Sequence, residues 1–310
     1  MKIHYSLSEF TPLSHAVVTS GTFDGVHVGH QKIIHRLNEL ASSQGGESVV
    51  LTFWPHPRLV VAKSPDLPVQ LLTTIDEKAE ILASLGVQHL LVLPFTRDFS
   101  ELTAEEYVQD ILLKGIGTKA LIIGYDHRFG KNRSGGFDFL QTNKERFNLE
   151  IEEISRQEID NSAISSTKIR EALVNGNLDV ANGLLGRPYS FVGVVVKGRQ
   201  LGRTIGFPTA NVYVSENYKL IPQNGVYAVR VSCRNKSFLG VMNIGTRPTV
   251  DGVGRTNEVH ILDFKEDIYG ETLTVHLHSF IRSERKFSSL DELKEQIQID
   301  KQKVASMRVL

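Results

Sequence analysis

The first half of the chain alternates short apolar runs with segments whose apolar residues recur at helical spacing. The apolar runs that predict strands are HAVVTS, SVVLTF, HLLVLPF, KALIIGYD and LEIEEIS. The segments with helical periodicity lie between them and are HQKIIHRLNELASSQ, DEKAEILASLG, TAEEYVQDILL and GGFDFLQTNKERF. This alternation predicts βαβ units that form a Rossmann-like, doubly wound parallel sheet in an α/β domain. Ligands of such sheets bind beyond the carboxyl ends of the strands.

The second half has a different pattern, which begins after the helical segment STKIREALVNGNLDVANGLLG. Short β-runs now follow one another between Gly, Pro and Asn turns: SFVGVVVKG, GVYAVRVSC, SFLGVMNIG, NEVHILDF and ETLTVHLHSF. A helical segment, SSLDELKEQIQIDKQKV, comes after them. The pattern predicts an antiparallel β-barrel with a C-terminal helix packed on it. With 310 residues, two domains are expected, and we set the boundary near Gly186, giving domains 1–185 and 186–310.

Composition narrows the class of protein. Lys plus Arg equals Asp plus Glu at 35 each, so the broad positive field that favours nucleic-acid binding is not expected. The N-terminus lacks the apolar region of a signal peptide, and no run approaches the roughly 18 apolar residues of a membrane helix. We therefore expect a cytoplasmic protein with no nucleic-acid or membrane partner. The one cysteine, Cys233, excludes an internal disulfide and is predicted to be a small buried hydrophobic residue.

A phosphate site is predicted directly after the first apolar run, where GTFDGVHVGH leads into a helix. A helix N-terminus offers unpaired N–H groups and partial positive charge to an anion. Gly25 and Gly29 allow close backbone approach, while His27 and His30 can donate ring N–H groups to phosphate oxygens. Asp24 caps the turn or orients a ligand. Nucleotidyl transfer fits this site because its nucleophile, a phosphate, is already ionised and needs no general base.

Further clusters in the first half are compatible with the same chemistry. FWPHP places His56 between two prolines after the second strand, and GYDHRFGKNRSGG brings basic residues to a glycine-rich loop after the fourth. This loop is alternatively a solvated basic surface. In SAISSTKIREAL, Lys168 and Arg170 lie in the first turn of a helix, where cations oppose the helix dipole and indicate a nearby anion.

The second half offers a candidate kinase site without a P-loop. In KGRQLGRTIGFPTANV, glycines alternate with basic residues, and Thr209 and Asn211 are oxygen ligands suited to Mg²⁺. In EVHILDF, alternation places Glu258, His260 and Leu262 on one face of a strand and Val259 and Ile261 on the other. Burying a carboxylate costs free energy unless it is paired or has a chemical function. We therefore expect Glu258 to be either ion-paired or the general base for a substrate hydroxyl.

Taken together, the motifs resemble those of one family, the bacterial bifunctional riboflavin kinase/FMN adenylyltransferases (FAD synthetases). GTFDGVHVGH, FWPHP, GYDHRFGKNRSG and ISSTKIR look like the adenylyltransferase motifs, and GRTIGFPTAN, PQNGVYAV, GVMNIGTRPT, EVHILDF and IRSERKF like the kinase motifs. The resemblance covers nearly the whole chain. It implies that riboflavin and ATP give FMN and ADP, and that FMN and ATP then give FAD and pyrophosphate. It further implies Mg²⁺ as cofactor, small-molecule partners only, and a monomer or weak homo-oligomer.

The resemblance also implies roles for individual residues. His27, His30 and Glu258 would be catalytic, and Thr209 and Asn211 would hold the metal. ATP in the adenylyltransferase would contact Gly21, Phe23, Asp24, Gly29, His30, Gly124, Ser165, Ser166, Thr167 and Arg170. The flavin there would contact His56, Asp126, Arg128 and Phe129. ATP and flavin in the kinase would contact Gly198, Arg203, Gly206, Phe207, Pro208, Asn243, Arg282 and Glu284.

Two residues depart from the family pattern, and other functions stay open on the sequence. His127 stands where an aromatic residue is usual, and Lys168 where Arg is common. One alternative is a class I aminoacyl-tRNA synthetase, which also uses a His-x-Gly-His motif, although no KMSKS sequence is present. The others are a flavin carrier without turnover, and an active transferase whose barrel only senses riboflavin.

Overall fold

The computed structural model describes residues 1–61, 70–155, 164–198, 200–249 and 252–307. Within them the chain forms two compact units that divide between Ser166 and Thr167. The first unit contains a parallel sheet and the second a closed antiparallel barrel, so the predicted fold class is confirmed.

The sheet of the first unit has the order β1-β4-β3-β2-β5-β6, and all its neighbouring strands are parallel. Its strands are β1 (Lys2–His4), β2 (Ala16–Ser20), β3 (Glu47–Trp54), β4 (His89–Pro94), β5 (Thr118–Gly124) and β6 (Glu150–Ile154). All five predicted strands are present. β1 was not predicted, because its three residues KIH carry no apolar run and are not buried.

The helices of the first unit pack on both faces of this sheet. They are α1 (Val28–Ser43), α2 (Pro57–Val61), α3 (Ile75–Ser84), α4 (Arg97–Ser100), α5 (Ala104–Glu106) and α6 (Phe137–Phe147). The predicted helix TAEEYVQDILL begins as α5, with Thr103 and Glu106 in a capping box, and continues as a π-helix over Tyr107–Ile116. One core cluster contains Val18, Leu51 and Leu91, and the other contains their neighbours Val17, Val50 and Leu90. Because both faces of the sheet are buried, the sequences of its strands are continuous apolar runs.

Strand order identifies where a ligand would bind. From β2 the chain adds β3 and β4 on one side, whereas β5 and β6 lie on the other side of β2. The direction of winding thus reverses between β2 and β5. In doubly wound sheets, the crevice at this reversal is the general ligand site. The loop that carries GTFDGVHVGH follows β2, and the loop GYDHRFGKNRSGG follows β5.

The second unit begins with helices and continues as the barrel β10-β11-β8-β7-β12-β9, whose neighbouring strands are antiparallel. The helices are α7 (Ser166–Val174), α8 (Leu178–Leu185), α9 (Leu201–Thr204) and α10 (Leu290–Ser306). The strands are β7 (Tyr189–Val196), β8 (Ala210–Tyr213), β9 (Gly225–Cys233), β10 (Lys236–Thr249), β11 (Gly252–Ile261) and β12 (Thr272–Arg282). The predicted helical segment before the barrel is two helices, because Gly176 adopts a left-handed conformation between them.

Alternating side chains give the barrel an apolar interior and a second apolar layer outside. The fully or nearly fully buried interior includes Phe191, Tyr227, Val229, Met242, Val259 and Leu277. On the outer face, Val226, Ala228 and Val241 form a cluster with Val304 of α10. Cys233 is buried, as predicted. The C-terminal helix therefore covers one outer side of the barrel, and side chains of β10 and β11 that point outward face this helix.

Candidate active sites

A cleft of about 510 Å³ lies at the reversal point of the sheet. Residues from the end of β2 and the start of α1 form one part of its wall, and the loop after β5 forms another. The predicted site residues that line it are Gly21, Phe23, His30, Gly124, Asp126, Arg128 and Phe129. The structure therefore brings together the two motifs that the sequence placed after different strands.

The two histidines of the motif lie against each other at the N-terminus of α1. His27 is the N-cap residue, and its Nδ1 accepts from the backbone N–H of His30 at 3.3 Å. A ring nitrogen that accepts carries no proton, so the neutral ring of His27 carries its proton on Nε2. The imidazoles are stacked with their centroids 3.6 Å apart. Nδ1 of His30 is buried without a hydrogen-bond partner among the described residues, which leaves it available to a ligand.

Electrostatics favour the neutral form of His30. Burial lowers its pKa well below the ordinary value, and the nearby His27 and Lys78 lower it further. A cationic ring would face a low-polarity environment and another positive charge. His30 therefore acts as a neutral hydrogen-bonding group at the head of α1, where Gly29 is buried in the first turn.

Asp24 has a supporting position in this loop. Its side chain is buried, and Oδ1 accepts from the backbone N–H groups of Leu72 at 2.9 Å and Thr73 at 3.2 Å. Asp24 is outside the cleft lining, so its carboxylate ties the segment before α3 to the loop. Ser166, the last residue of the first unit, donates its hydroxyl to the backbone oxygen of Asp24 at 2.9 Å.

A buried lysine beneath the same loop was missed by the sequence reasoning. Lys78 of α3 is 4% exposed, and its Nζ donates to the backbone oxygen of Thr22 at 2.7 Å and to Oγ1 of Thr52 at 3.3 Å. Burial lowers the pKa of Lys78 to about 8, with the charge of Asp24 acting in the opposite direction. The available signal was its place four residues before Leu82, on the apolar face of α3.

The rest of the cleft is aromatic. Phe53, Phe95, Phe99, Tyr107 and Phe129 line it, with ring centroids 5.5 Å apart for Phe53 and Phe99 and 5.0 Å for Tyr107 and Phe129. Of these, only Phe129 was predicted. Tyr107 is fixed by a 2.6 Å hydrogen bond with Ser20, and it begins the π-helix, a conformation frequent at functional sites.

His127, which departs from the family pattern, also lines the cleft. Burial lowers its pKa to about 4 although the charge of Asp126 opposes the shift. Its ring lies 5.6 Å from that of Phe129. At neutral pH it is therefore an uncharged ring beside an aromatic one.

Several predicted residues of this site are not in the cleft lining, among them His27 and Gly29. His56 is 7% exposed, lies outside the cleft lining, and accepts from the backbone N–H of Arg58 through Nδ1 at 3.1 Å. Ser165 precedes α7 and is half-buried. Thr167 and Arg170 lie on α7 within the second compact unit, where Thr167 is exposed and Arg170 half-buried.

The second unit carries a polar row across the outer face of its barrel. In the strand registers, Asn211 of β8 pairs with Glu258 of β11, and Glu258 pairs with Asn243 of β10. The row continues through Val226 to Arg282. Directly opposed residues of antiparallel strands share a face, so these side chains lie side by side. The predicted alternation of β11 is confirmed, because Glu258 and His260 are half-buried while Val259 and Ile261 are buried in the interior.

A cavity of about 350 Å³ lies above this row, between the barrel and α10. Predicted residues in its wall are Phe207, Thr209, Asn243, Glu258, Arg282 and Glu284. Residues that the sequence reasoning missed are His260, Arg285, Phe287 and Asp300. Arg282 binds Asp300 of α10 through Nε at 3.0 Å and Nη2 at 2.8 Å, and Nδ2 of Asn243 donates to Glu284 at 3.4 Å.

A second cavity in this unit, of about 360 Å³, meets the first at Thr209. Arg203 and Pro208 line it, together with polar residues 265–267 and Tyr269. Thr209 is thus a wall residue of both cavities.

Local contacts hold the PTAN segment in place. His260 donates from Nδ1 to the backbone oxygen of Pro208 at 2.8 Å, and the N–H of Phe207 donates to the oxygen of Gly202 at 2.8 Å. The amide of Asn211 lies against Gly198, where a Cβ atom would overlap it. Gly206, at φ +88, makes the left-handed turn before Phe207.

Within the described ranges, no helix is long and apolar enough to cross a membrane. Likewise, those ranges contain no group of three or more His, Cys, Asp or Glu residues arranged to hold a metal ion.

Comparison with known proteins assigns the family. Residues 10–168 match the FAD synthetase family model, and residues 185–308 match the riboflavin kinase model. The chain is 42% identical to the bifunctional riboflavin kinase/FMN adenylyltransferase of Escherichia coli K12, over 96% of this chain and 93% of that protein. It is 39% identical to the enzyme of the same name from Listeria monocytogenes, over 97% and 95%.

A solved structure, titled as a macrolide-efflux protein from Streptococcus pneumoniae, matches with a TM-score of 0.88 and 32% identity over 98% of both chains. The family matches cover both units in the order that the motifs predicted, which confirms the resemblance seen in the sequence. The chain belongs to the family of bifunctional riboflavin kinase/FMN adenylyltransferases.

Proposed function

We propose that the chain phosphorylates riboflavin at the barrel and then adenylylates FMN in the cleft of the parallel sheet. The observation that carries this proposal is the position of Glu258 between two amide side chains, facing a cavity large enough for an aromatic ligand. Such a carboxylate is needed where the nucleophile is an alcohol, which must lose its proton to attack.

In the kinase reaction, riboflavin occupies the cavity beside α10 and ATP the neighbouring one. Glu258 accepts the proton of the terminal ribityl hydroxyl as that oxygen bonds to the γ-phosphorus of ATP. The bond from the γ-phosphorus to the β,γ-bridging oxygen breaks, and ADP leaves. Thr209 lies between the two substrates, because it borders both cavities. The exposed Arg203 and the basic Lys265 in the second cavity wall suit the polyphosphate.

Magnesium fits the polar end of the row formed by Asn211, Glu258 and Asn243. The hydroxyl of Thr209 and the amide oxygen of Asn211 are hard oxygen ligands, which Mg²⁺ prefers alongside substrate phosphates. Gly198 leaves room for the amide of Asn211. When bound, the ion neutralises charge on the phosphates of ATP.

In adenylyl transfer, a phosphate oxygen of FMN attacks the α-phosphorus of ATP, and the bond to the departing pyrophosphate breaks. His27, His30 and the N-terminus of α1 stabilise the phosphates by hydrogen bonds. Phe53, Phe95, Phe99 and Phe129 provide an apolar wall for the flavin ring, next to Asp126 and Arg128.

The finer assignments follow from the same proposal. Residues 1–185 form the adenylyltransferase domain and 186–310 the kinase domain, which the family matches over 10–168 and 185–308 support. The protein acts in the cytoplasm on small molecules without a nucleic-acid partner, as a monomer or weak homo-oligomer.

The test is a time course of the purified chain with riboflavin, ATP and Mg²⁺, with flavins separated by chromatography. FMN should appear first and FAD later, and a metal chelator should stop both steps. FMN alone would restrict the proposal to the barrel. FAD formed only from added FMN would restrict it to the cleft, leaving the barrel as a riboflavin sensor. No product at all would favour a flavin carrier.

A further inference from the structure

Neither of the two proposed reactions uses the buried lysine of α3 directly. Lys78 is 4% exposed, although lysine side chains are almost never fully buried unless they are paired. Burying an ammonium group costs free energy, so its position requires compensating contacts. Its contacts are to Thr22, in the loop that carries the two histidines, and to Thr52 of β3.

The backbone oxygen of Thr22 is the centre of these contacts. It accepts from Nζ of Lys78 at 2.7 Å and from Oγ1 of Thr52 at 3.3 Å, and Nζ also contacts that hydroxyl. Three elements, namely the loop after β2, strand β3 and helix α3, therefore meet at one carbonyl group. Charge-assisted hydrogen bonds are about twice as strong as neutral ones, so Lys78 dominates the orientation of this carbonyl.

The orientation of the carbonyl determines where the next N–H points. The peptide between Thr22 and Phe23 is trans, and in a trans peptide the C=O and N–H bonds point in opposite directions. Because the oxygen of Thr22 points toward the buried ammonium, the N–H of Phe23 points away from it. Gly21, Thr22 and Phe23 line the cleft, and no described residue accepts from the Phe23 N–H.

The local backbone is strained enough to need such a tether. Phe23 has φ +46 and Val26 has φ +39, and both are non-glycine residues in the left-handed region. Non-glycine residues in this region are strained and persist only when the surrounding structure fixes them. The hydrogen bonds to Thr22 on one side and those of Asp24 to Leu72 and Thr73 on the other fix this turn.

We propose that Lys78 is a positioning residue for adenylyl transfer, which holds the Thr22 carbonyl inward and so presents the N–H of Phe23 to the phosphates of ATP. This inference rests on the proposed use of the cleft for FMN adenylylation. Backbone N–H groups held in this way are the usual means of stabilising developing negative charge on phosphoryl and acyl groups.

The experiment compares the full-length variants Lys78→Met and Thr52→Val with the unchanged chain. Lys78→Met keeps the length and apolar stem of the side chain but removes its donors. We expect the kcat of adenylyl transfer from supplied FMN to fall about 100-fold and the Kd for ATP to rise about tenfold. The Kd for FMN and the riboflavin kinase rate should stay within about twofold, because neither depends on this peptide. Thr52→Val removes the neutral donor to the Thr22 carbonyl and the weaker of the two acceptors of Lys78, and should lose about threefold in kcat.

The control variant is Lys114→Met, which removes an exposed lysine ion-paired with Asp110 and should leave both activities unchanged. An equal loss of ATP and FMN affinity in Lys78→Met would mean general damage to the unit and would overturn a positioning role. Normal adenylyl transfer in Lys78→Met, with an inactive His30→Ala variant, would overturn this inference alone. Normal transfer in both variants would overturn the cleft assignment as well.

Discussion

The cleft of the parallel sheet and the barrel site differ in which elements carry their polar groups and in how deeply those groups are buried. The cleft is lined mainly by loops at strand ends, and three buried polar side chains, His27, Asp24 and Lys78, lie in or beneath the loop after β2. The barrel presents Asn211 and Glu258 from the middle of regular strands, where they are half-buried. A phosphate nucleophile needs only donors held in place, whereas a hydroxyl nucleophile also needs a base with access to its proton.

In each unit, nevertheless, one charged residue in the apolar stripe of a helix contacts a segment that borders the candidate site. Lys78 lies on the buried face of α3, and Asp300, at 2% exposure, lies on the buried face of α10 four residues before Val304. Lys78 donates to the Thr22 carbonyl in the loop after β2, and Asp300 binds Arg282 at the end of β12. In both cases the helix is connected to the site by a buried charge. A charged residue in a helical apolar stripe is therefore a useful sign of a supporting contact.

The largest effect is expected for the proposed base of the kinase reaction, whose loss should affect one activity and not the other. Glu258→Gln keeps the shape of the side chain but cannot accept the proton, so FMN formation should fall about 10³-fold. Adenylylation of supplied FMN should stay within about twofold, because that site has its own residues. Flavin chromatography with riboflavin or FMN as substrate measures both rates. Loss of both activities would contradict two independent sites.

A variant in the cleft should have the opposite effect, lowering adenylyl transfer and leaving the kinase reaction unchanged. His30→Ala should lower adenylyl transfer about 100-fold, because a hydrogen bond to the phosphates is lost, and leave riboflavin phosphorylation unchanged. His35→Ala, which changes an exposed histidine of the same helix, is the matched control. If the two variants had equal adenylyl transfer rates, His30 would not be part of this site.

A smaller effect is expected at the metal end of the barrel row. In Gly198→Ala, the new Cβ would overlap the amide of Asn211 and displace it. We expect kcat/KM for MgATP in the kinase reaction to fall about tenfold, equivalent to about 1.4 kcal/mol. Gly183→Ala is the control, because open space surrounds its Cβ position. A normal kinase rate in Gly198→Ala would remove Asn211 from the proposed metal site.

The smallest effect concerns stability against pH in the first unit. The pKa of His127 is about 4 in the folded chain, below the unfolded value of 6.5, so the unfolded chain binds more protons between these values. Stability is therefore fully present above about pH 6.5 and decreases as the pH falls toward 4. In His127→Phe this loss should be smaller. Between neutral pH and pH 5, the unfolding midpoint of the variant should fall by about 2–4 °C less than that of the unchanged chain. If the unfolding midpoints of the variant and the unchanged chain depended on pH in the same way, this prediction would be contradicted.

The sequence predicted those features that depend on local pattern. Buried strands such as β3 and β5 carry continuous apolar runs, and β11 alternates visibly around Glu258. Strand β8 was missed because it is only four residues long, begins two residues after Pro208 and contains Asn211, and both residue types are typical of turns. The π-helix after Glu106 was also not predicted, because its apolar spacing differs little from that of an α-helix.

The site residues that the sequence missed depend on tertiary contacts. Phe95 and Phe99 reach the cleft only because β4 ends beside β3 in the sheet. His56 was predicted to bind flavin, which stays a prediction; in the structure its Nδ1 accepts from the backbone N–H of Arg58 at the start of α2. No local pattern distinguishes a histidine that faces a cleft from one that caps a short helix.

The position of Thr209 on the boundary between two cavities has a kinetic consequence. In the proposed arrangement riboflavin and ATP occupy separate cavities that share Thr209, so neither substrate fills the cavity of the other. The geometry therefore imposes no obligatory order of substrate addition on the kinase. Initial-rate patterns should intersect, and either product should be able to leave first.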